Sequence, residues 1–488
     1  MFSVSQGSVW TGSLKTTSAS ISPRIIISRT LQAIGLRTAS PNGPLTANWK
    51  ILGAVVVVGA CSLLAKLVAT GKELAVAAWF GRSDALDAFL IALLLPTTVV
   101  SLLAGSFGGV LVPSFIRIQE NQGQVAAQQF FSSIQTVGLV LLAGVSVLLA
   151  IAAPLYLPLL GSGFDAAKVL LAQKLLYVLL PFIVVNGAVL IWTSVLNAGE
   201  TFALPALTPL LTPLVTLACL FIWGGKVGIF ALAVGTIAGT ILEATILGRT
   251  IRARGLELRL GWYGWTPELR LAGRQYLSVV TGSLILGVSP IIDQAMAAML
   301  SAGSVAALSY GNKIVMVITT LTSSALGTAV LPYISQMMAR NDWSGCRRTL
   351  KIYSLIVLSV TIPITVILVA LSQPLVRLLY QRGAFTANDT LVVSAVQIGF
   401  ALVIPFSTWC MLFVRYLTAL HRNDVLAYGA VANACLNVVL NLVLMRRMGV
   451  AGIALSTSLV CVFSWAVTGF WVLKLLGREH AATVLVGH

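Results

Sequence analysis

The chain has 488 residues, of which 58% are hydrophobic and 9% charged, and a formal net charge of +17. A water-soluble chain carries roughly 25% charged residues to cover its surface, so this composition excludes a soluble enzyme. It also excludes a nucleic-acid-binding domain, which would need a soluble basic face. What remains is an all-α, polytopic membrane protein.

In chain order, residues 1–47 are rich in Ser and Thr and carry Lys15, Arg24, Arg29 and Arg37, with no acid before Glu73. They resemble a transit peptide in composition but read more simply as a disordered basic cytoplasmic tail or an over-extended start. Apolar runs long enough to cross hydrocarbon follow near 49–79, 85–116, 126–153, 166–197, 203–223, 227–249, 271–300, 304–337, 346–371, 387–419, 425–445 and 450–475, twelve in all. The expected organisation is an N-terminal six-helix lobe over 48–250, a cytoplasmic linker over 251–270, a C-terminal six-helix lobe over 271–476 and a tail over 477–488. Basic residues cluster in 249–274 (Arg249, Arg252, Arg254, Arg259, Arg270, Arg274) and in 338–351. About 20 Lys and Arg fall on that side of the membrane against about 7 opposite, which places both termini in the cytoplasm.

The first run holds three ionisable residues, Lys66, Lys72 and Glu73. A charge within hydrocarbon costs several kcal/mol unless it faces a cavity or a partner, so such residues are candidate functional groups. Lys66 and Lys72 are about 240° apart around a straight helix; a bend at Thr70-Gly71 would let both face one cavity. Asp293 follows a bend suggested by Gly287 and Pro290. It is expected either to bind a driving cation, Na⁺ or H⁺, or to be the counter-ion of Lys313. Asn433, Asn437 and Asn441 recur every four residues as a polar stripe, suited to lining a cleft or to interhelical hydrogen bonds. Glu243 and Arg415 lie nearer helix ends and read as interfacial. The six cysteines are scattered singly, the three histidines sit in loops or the tail, and neither set has metal or disulfide spacing. No nucleophile elbow or phosphate loop is present, so no enzyme chemistry is expected.

The halves repeat. Phe164 corresponds to Phe385, Pro181-Phe182 to Pro405-Phe406, Gly225 to Gly449 and Gly228 to Gly452, and Gly81 to Pro113 echoes Gly303 to Pro332. The proline and glycine pairs share an offset of 224. Parallel six-helix repeats build transporters with a site between the halves near the midplane.

The stretch KLVATGKELAVAAWFG with ALDAFLIALLLP resembles the signature of the MviN/MurJ family, lipid II flippases of the MOP exporter superfamily. The matching residues are Lys66, Lys72-Glu73, Phe80-Gly81 and Asp87-Ala88-Phe89, joined in the second half by Lys313 and by Gly383-Ala384-Phe385-Thr386. The resemblance covers about residues 50–475. It implies a central substrate cavity lined by Lys66, Lys72, Glu73, Asp87 and Lys313, a lipid-linked oligosaccharide and membrane lipid as partners, a monomer in a bacterial inner membrane, and no cofactor beyond a coupling ion. The family commonly carries Arg where this chain has Lys66, Lys72 and Lys313, an arginine pair near Val100-Ser101, and two further C-terminal helices. The expected cargo is therefore a polyprenyl-diphosphate-linked sugar in general, lipid II or an exopolysaccharide or O-antigen precursor. The competing readings are a cation-coupled multidrug (MATE-type) antiporter, which would favour acidic and aromatic cavity residues, and a non-transporting membrane scaffold.

Overall fold

The computed structural model describes residues 44–340, 342–420 and 422–486. Val58–His488 forms one compact unit; Met1–Val57 is a separate one, of which only 44–57 are described, as helix. Residues 1–43 of the expected tail, and the histidines His421 and His488, lie outside the described residues.

Every regular element among the described residues is helical, as hydrocarbon requires, since each backbone N–H must find its partner within its own segment. The first half contains α1 (Pro44–Phe80), α2 (Asp84–Val99), α3 (Gly105–Leu160), α4 (Ala166–Ala198), the short α5 (Ala203–Leu207), α6 (Leu211–Val227) and α7 (Phe230–Ala253). The second contains α8 (Pro267–Leu286), α9 (Val288–Ala298), α10 (Ser304–Ala339), α11 (Trp343–Ala370), α12 (Ser372–Tyr380), α13 (Ala387–Phe400), α14 (Val403–Ala419), α15 (Asn423–Met448) and α16 (Val450–Val486). Among the described residues, ten helical stretches are long and apolar enough to span a bilayer; Asp84–Leu160, counted as one, breaks at Gly123 (φ 85°) into two, and α1 covers the first expected span. That reproduces the twelve. Two features were not legible as spans: the amphipathic α12, and α16 running through the expected tail to Val486.

The glycine register of the repeat differs from the sequence alignment. Gly228 and Gly449 both close a helix in the left-handed region, with φ/ψ of 57°/−131° and 57°/−138°. Both accept from the residue three further on, Ala231 and Gly452. The true pairs are thus Gly228 with Gly449 and Ala231 with Gly452, the 221-residue spacing already seen in Phe164 and Phe385. A positive φ is nearly free for glycine alone, so backbone conformation, not the nearest matching letter, sets the register.

Three apolar clusters hold the helices. One runs across both halves, joining Val76, Leu86 and Leu176 to Tyr310, Phe385 and Ile453. A second lies within the first half but takes in Leu269 and Ala272 of α8. A third is confined to the second half around Tyr416 and Leu412. Helix α8 therefore packs on α3: Tyr276 stacks on Phe107 (centroids 4.6 Å apart) and donates to the Leu103 carbonyl at 3.0 Å, inside the π-helical turn Val100–Ala104. The interruption at Gly287 then sends α9 to the second half.

Candidate functional site

Lys72, Glu73 and Lys313 come together. Lys72 Nζ lies 2.9 Å and Lys313 Nζ 3.3 Å from the same carboxylate oxygen of Glu73. The lysines belong to α1 and α10, one from each half. Glu73 is 19% exposed and Lys313 39%, so the trio borders open space instead of being sealed in packing. Two cations on one carboxylate leave a net charge of +1 and free N–H donors, the combination that receives a phosphate oxygen.

Lys66 does not join them. Helix α1 continues through Thr70-Gly71, and the Thr70 hydroxyl donates to the Lys66 carbonyl at 2.8 Å, a bond within the helix. Along this unbroken helix Lys66 lies about 9 Å down the axis from Lys72 and on another face. Among the described residues it makes no ion pair.

Asp87 also departs from the expected cavity set. It is 1% exposed and fully engaged: it accepts the backbone N–H groups of Gly303 (2.7 Å) and Ala306 (2.8 Å) and pairs with Lys168 at 3.0 Å. These N–H groups open α10, whose first turn has no helical acceptor for them. Asp87 thus caps a second-half helix from the first half, and at 1% exposure it is enclosed in packing. Around it, Lys168 reaches Asp84 (2.6 Å) and lies over the Phe164 ring at 3.9 Å, while Arg82 donates to the Gly303 carbonyl (3.1 Å) and pairs with Asp389 (3.3 Å). The Ala384 N–H donates to the Ala78 carbonyl at 2.8 Å. Gly81 (φ 52°) and Gly383 (φ 57°) flank that bond so closely that a Cβ on either would strike the opposing backbone. The ends of α1 and α12 and the starts of α2, α4, α10 and α13 thereby form a seal between the halves.

The sequence profile of the lipid II flippase MurJ family matches residues 76–485. The chain belongs to the MurJ family. It is 24% identical over 449 residues to a probable lipid II flippase MurJ of Synechocystis (89% of this chain, 83% of the relative). It is 26% identical over 416 residues to that of Bdellovibrio bacteriovorus (83% and 79%). Its fold matches a structure of lipid II flippase MurJ in an inward closed conformation, with a TM-score of 0.71, 21% identity and coverage of 88% of this chain and 91% of that one. An inward-facing MATE multidrug transporter matches at 0.68 with 12% identity, 88% and 99% covered, which shows a shared fold. MurJ is a transporter family, not one of catalysts, and its membership with these apolar helices makes the chain a multi-pass protein of the bacterial inner membrane.

In this MurJ family member Asp293 does not meet Lys313, whose partner is Glu73. Asp293 is buried on α9 and receives the side-chain amides of Asn437 (3.0 Å) and Asn441 (2.8 Å) on one oxygen and the Thr457 hydroxyl (2.9 Å) on the other. The counter-ion alternative is therefore replaced by a polar cluster from α9, α15 and α16, with no basic side chain in it among the described residues. Two of the three stripe asparagines take part; Asn433 does not reach Asp293. Glu243, expected at an interface, is buried on α7 and accepts from Thr212 at 3.4 Å. Sequence reasoning passed over Arg82, Lys168 and Asp389, because charges beside helix ends are ordinary in a membrane protein. The usable signal was their place next to Gly81, Asp165 and Gly383-Ala384-Phe385-Thr386 at repeat-related positions.

Proposed function

We propose that the protein flips a polyprenyl-diphosphate-linked sugar, lipid II or a related envelope-polysaccharide precursor, from the cytoplasmic to the periplasmic leaflet by alternating access. The observation that carries this is the Lys72–Glu73–Lys313 trio, in which cations from both halves share one acid. A diphosphate entering hydrocarbon must exchange its water for cationic donors. When it displaces Glu73, it draws Lys72 and Lys313 onto itself and so ties substrate binding to the relative position of the halves. A cationic drug would meet net positive charge here, which disfavours the antiporter reading. The proposal is tested with the purified chain in vesicles carrying fluorescent lipid II on one leaflet. Transfer to the other leaflet, not competed by a cationic drug, is the expected result, and drug efflux without lipid transfer overturns it.

The seal lies at the end of the helices opposite the Arg-rich segments 249–274 and 338–351. With those segments cytoplasmic, both termini are cytoplasmic too, and the seal closes the periplasmic side. A C-terminal phosphatase fusion is expected to be inactive and a C-terminal fluorescent-protein fusion bright; the reverse pattern overturns this orientation.

Na⁺ or H⁺ coupling fits the Asp293 cluster. A carboxylate, two amides and a hydroxyl suit a small hard cation, and the Asn441 side-chain oxygen is buried without a partner. Asp293 would carry the charge, and rotation of the amides would offer their oxygens. Asp293→Asn is expected to remove the dependence of transport on the ion gradient while the protein remains folded; full gradient-driven activity in that variant rules out coupling at this site.

A further inference from the structure

A groove of about 560 Å³ runs along the outer face of the first half between α3, α4 and α7. Its floor is apolar, with Leu139, Val185 and Ala188 on one side and Ile241 and Ala244 on the other. Its mouth holds Arg249 and Arg252. Both are exposed, and among the described residues neither makes an ion pair; the nearby Arg259 is paired with Glu257 at 2.9 Å. All the lining residues come from α3, α4, α7 and the segment that follows α7, so the groove is separate from the trio between the halves.

The segment after α7 builds the rim. Gln128 donates to the Glu257 carbonyl and accepts from the Glu257 N–H (2.8 and 3.0 Å), and the Gly261 N–H donates to Thr136 at 2.9 Å. Leu258 is thereby held over the groove, where it and Trp192 close on Gly248. The same segment leaves Leu260, Trp262, Tyr263 and Trp265 exposed at 65%, 47%, 50% and 62%. Tryptophan and tyrosine mark the headgroup level of a bilayer. From Ile241 to Arg252 the helix rises about 17 Å, against about 15 Å for the hydrocarbon of one leaflet. The groove thus begins at the headgroups, under two arginines, and ends near the bilayer midplane.

From this geometry we infer that the groove is a binding site for one anionic phospholipid of the leaflet on the Arg-rich side, with its phosphate between Arg249 and Arg252 and an acyl chain against α4 and α7. Charge selects the anionic headgroup, and the one-leaflet depth selects an acyl chain over a polyprenyl chain, which would overrun the groove. The occupant braces the segment joining the two halves, because the residue that roofs it, Leu258, belongs to that segment.

The test is mass spectrometry of the intact chain released from nanodiscs of equal phosphatidylglycerol and phosphatidylcholine. The wild type is expected to retain one phosphatidylglycerol with a preference of roughly tenfold or more over phosphatidylcholine. Arg249→Gln with Arg252→Gln brings the two lipids near parity, and Arg249→Lys with Arg252→Lys keeps the preference. Thr245→Trp, an exposed position on the groove wall, displaces both lipids while the arginines remain. No preference in the wild type, or an unchanged preference in the glutamine pair, overturns the site. Displacement of the retained lipid by an equimolar polyprenyl diphosphate also overturns it, by assigning the groove to the tail of the cargo.

Discussion

The chain with both Lys72→Met and Lys313→Met is expected to move its lipid-linked cargo at least roughly 100-fold more slowly than the wild type. A hydrogen bond to a charged partner contributes about 1.5–3 kcal/mol, so losing two removes about 3–6 kcal/mol, and each 1.36 kcal/mol is a factor of about ten in rate. The double variant leaves Glu73, 19% exposed, without either cation, which destabilises the fold as well. Glu73→Gln added to the pair separates these effects. The triple variant should regain stability, read as melting temperature, and should still fail to transport. Arginine at both positions keeps the charge and adds a second N–H to each phosphate contact, so transport should persist. Lys66→Met, a residue without an ion pair in the described structure, should cost much less than either Lys72→Met or Lys313→Met. Wild-type transport by the double methionine variant would remove the trio from the substrate path.

The second large effect is expected at the seal. Asp87→Ala withdraws the acceptor for the Gly303 and Ala306 N–H groups and leaves Lys168 with Asp84, whose side chain is 62% exposed, as its one ion-pair partner among the described residues. At about 1.5–3 kcal/mol for each charge-assisted bond, the sealed arrangement loses enough to fall in population by roughly 100-fold or more. Spin labels at Ser162 and Ala302, exposed positions on opposite halves, should report a second, longer distance. Asp87→Asn should be milder, because the amide oxygen still accepts one bond. Adding Lys168→Met to Asp87→Ala should recover part of the loss by removing the stranded ammonium. An unchanged distance distribution in Asp87→Ala would show that the seal does not depend on this cap.

The fold was legible because hydrocarbon leaves so few choices: long apolar runs must be helices, and their number and order follow. What the sequence could not give is what depends on exact rotation about a helix axis. Lys72 and Glu73 were recognisable as a candidate site, yet grouping Lys66 with them required a bend at Thr70-Gly71, where α1 runs on as unbroken helix. Asp293 was expected either to bind a cation or to pair with Lys313; the pairing is not made, because burial puts Asp293 among amides and a hydroxyl while Glu73 takes both lysines. Asp87 was read from a motif as a cavity residue, whereas its role depends on the backbone of residue 303, more than two hundred positions away. The glycine pairing failed for a similar reason, since Gly225 and Gly228 look alike as letters but only Gly228 has positive φ.

The bond between the Ala384 N–H and the Ala78 carbonyl joins main chain to main chain across the halves. Side-chain contacts can stretch and swap partners through a graded series of geometries; a peptide pair wedged between two left-handed glycines has one docked arrangement and no near neighbour. Closure at this end therefore acts as a detent, not a spring. The unlatching step should occur in one jump, with a barrier set by the protein and nearly independent of cargo, so that different sugar headgroups would share the same ceiling on turnover.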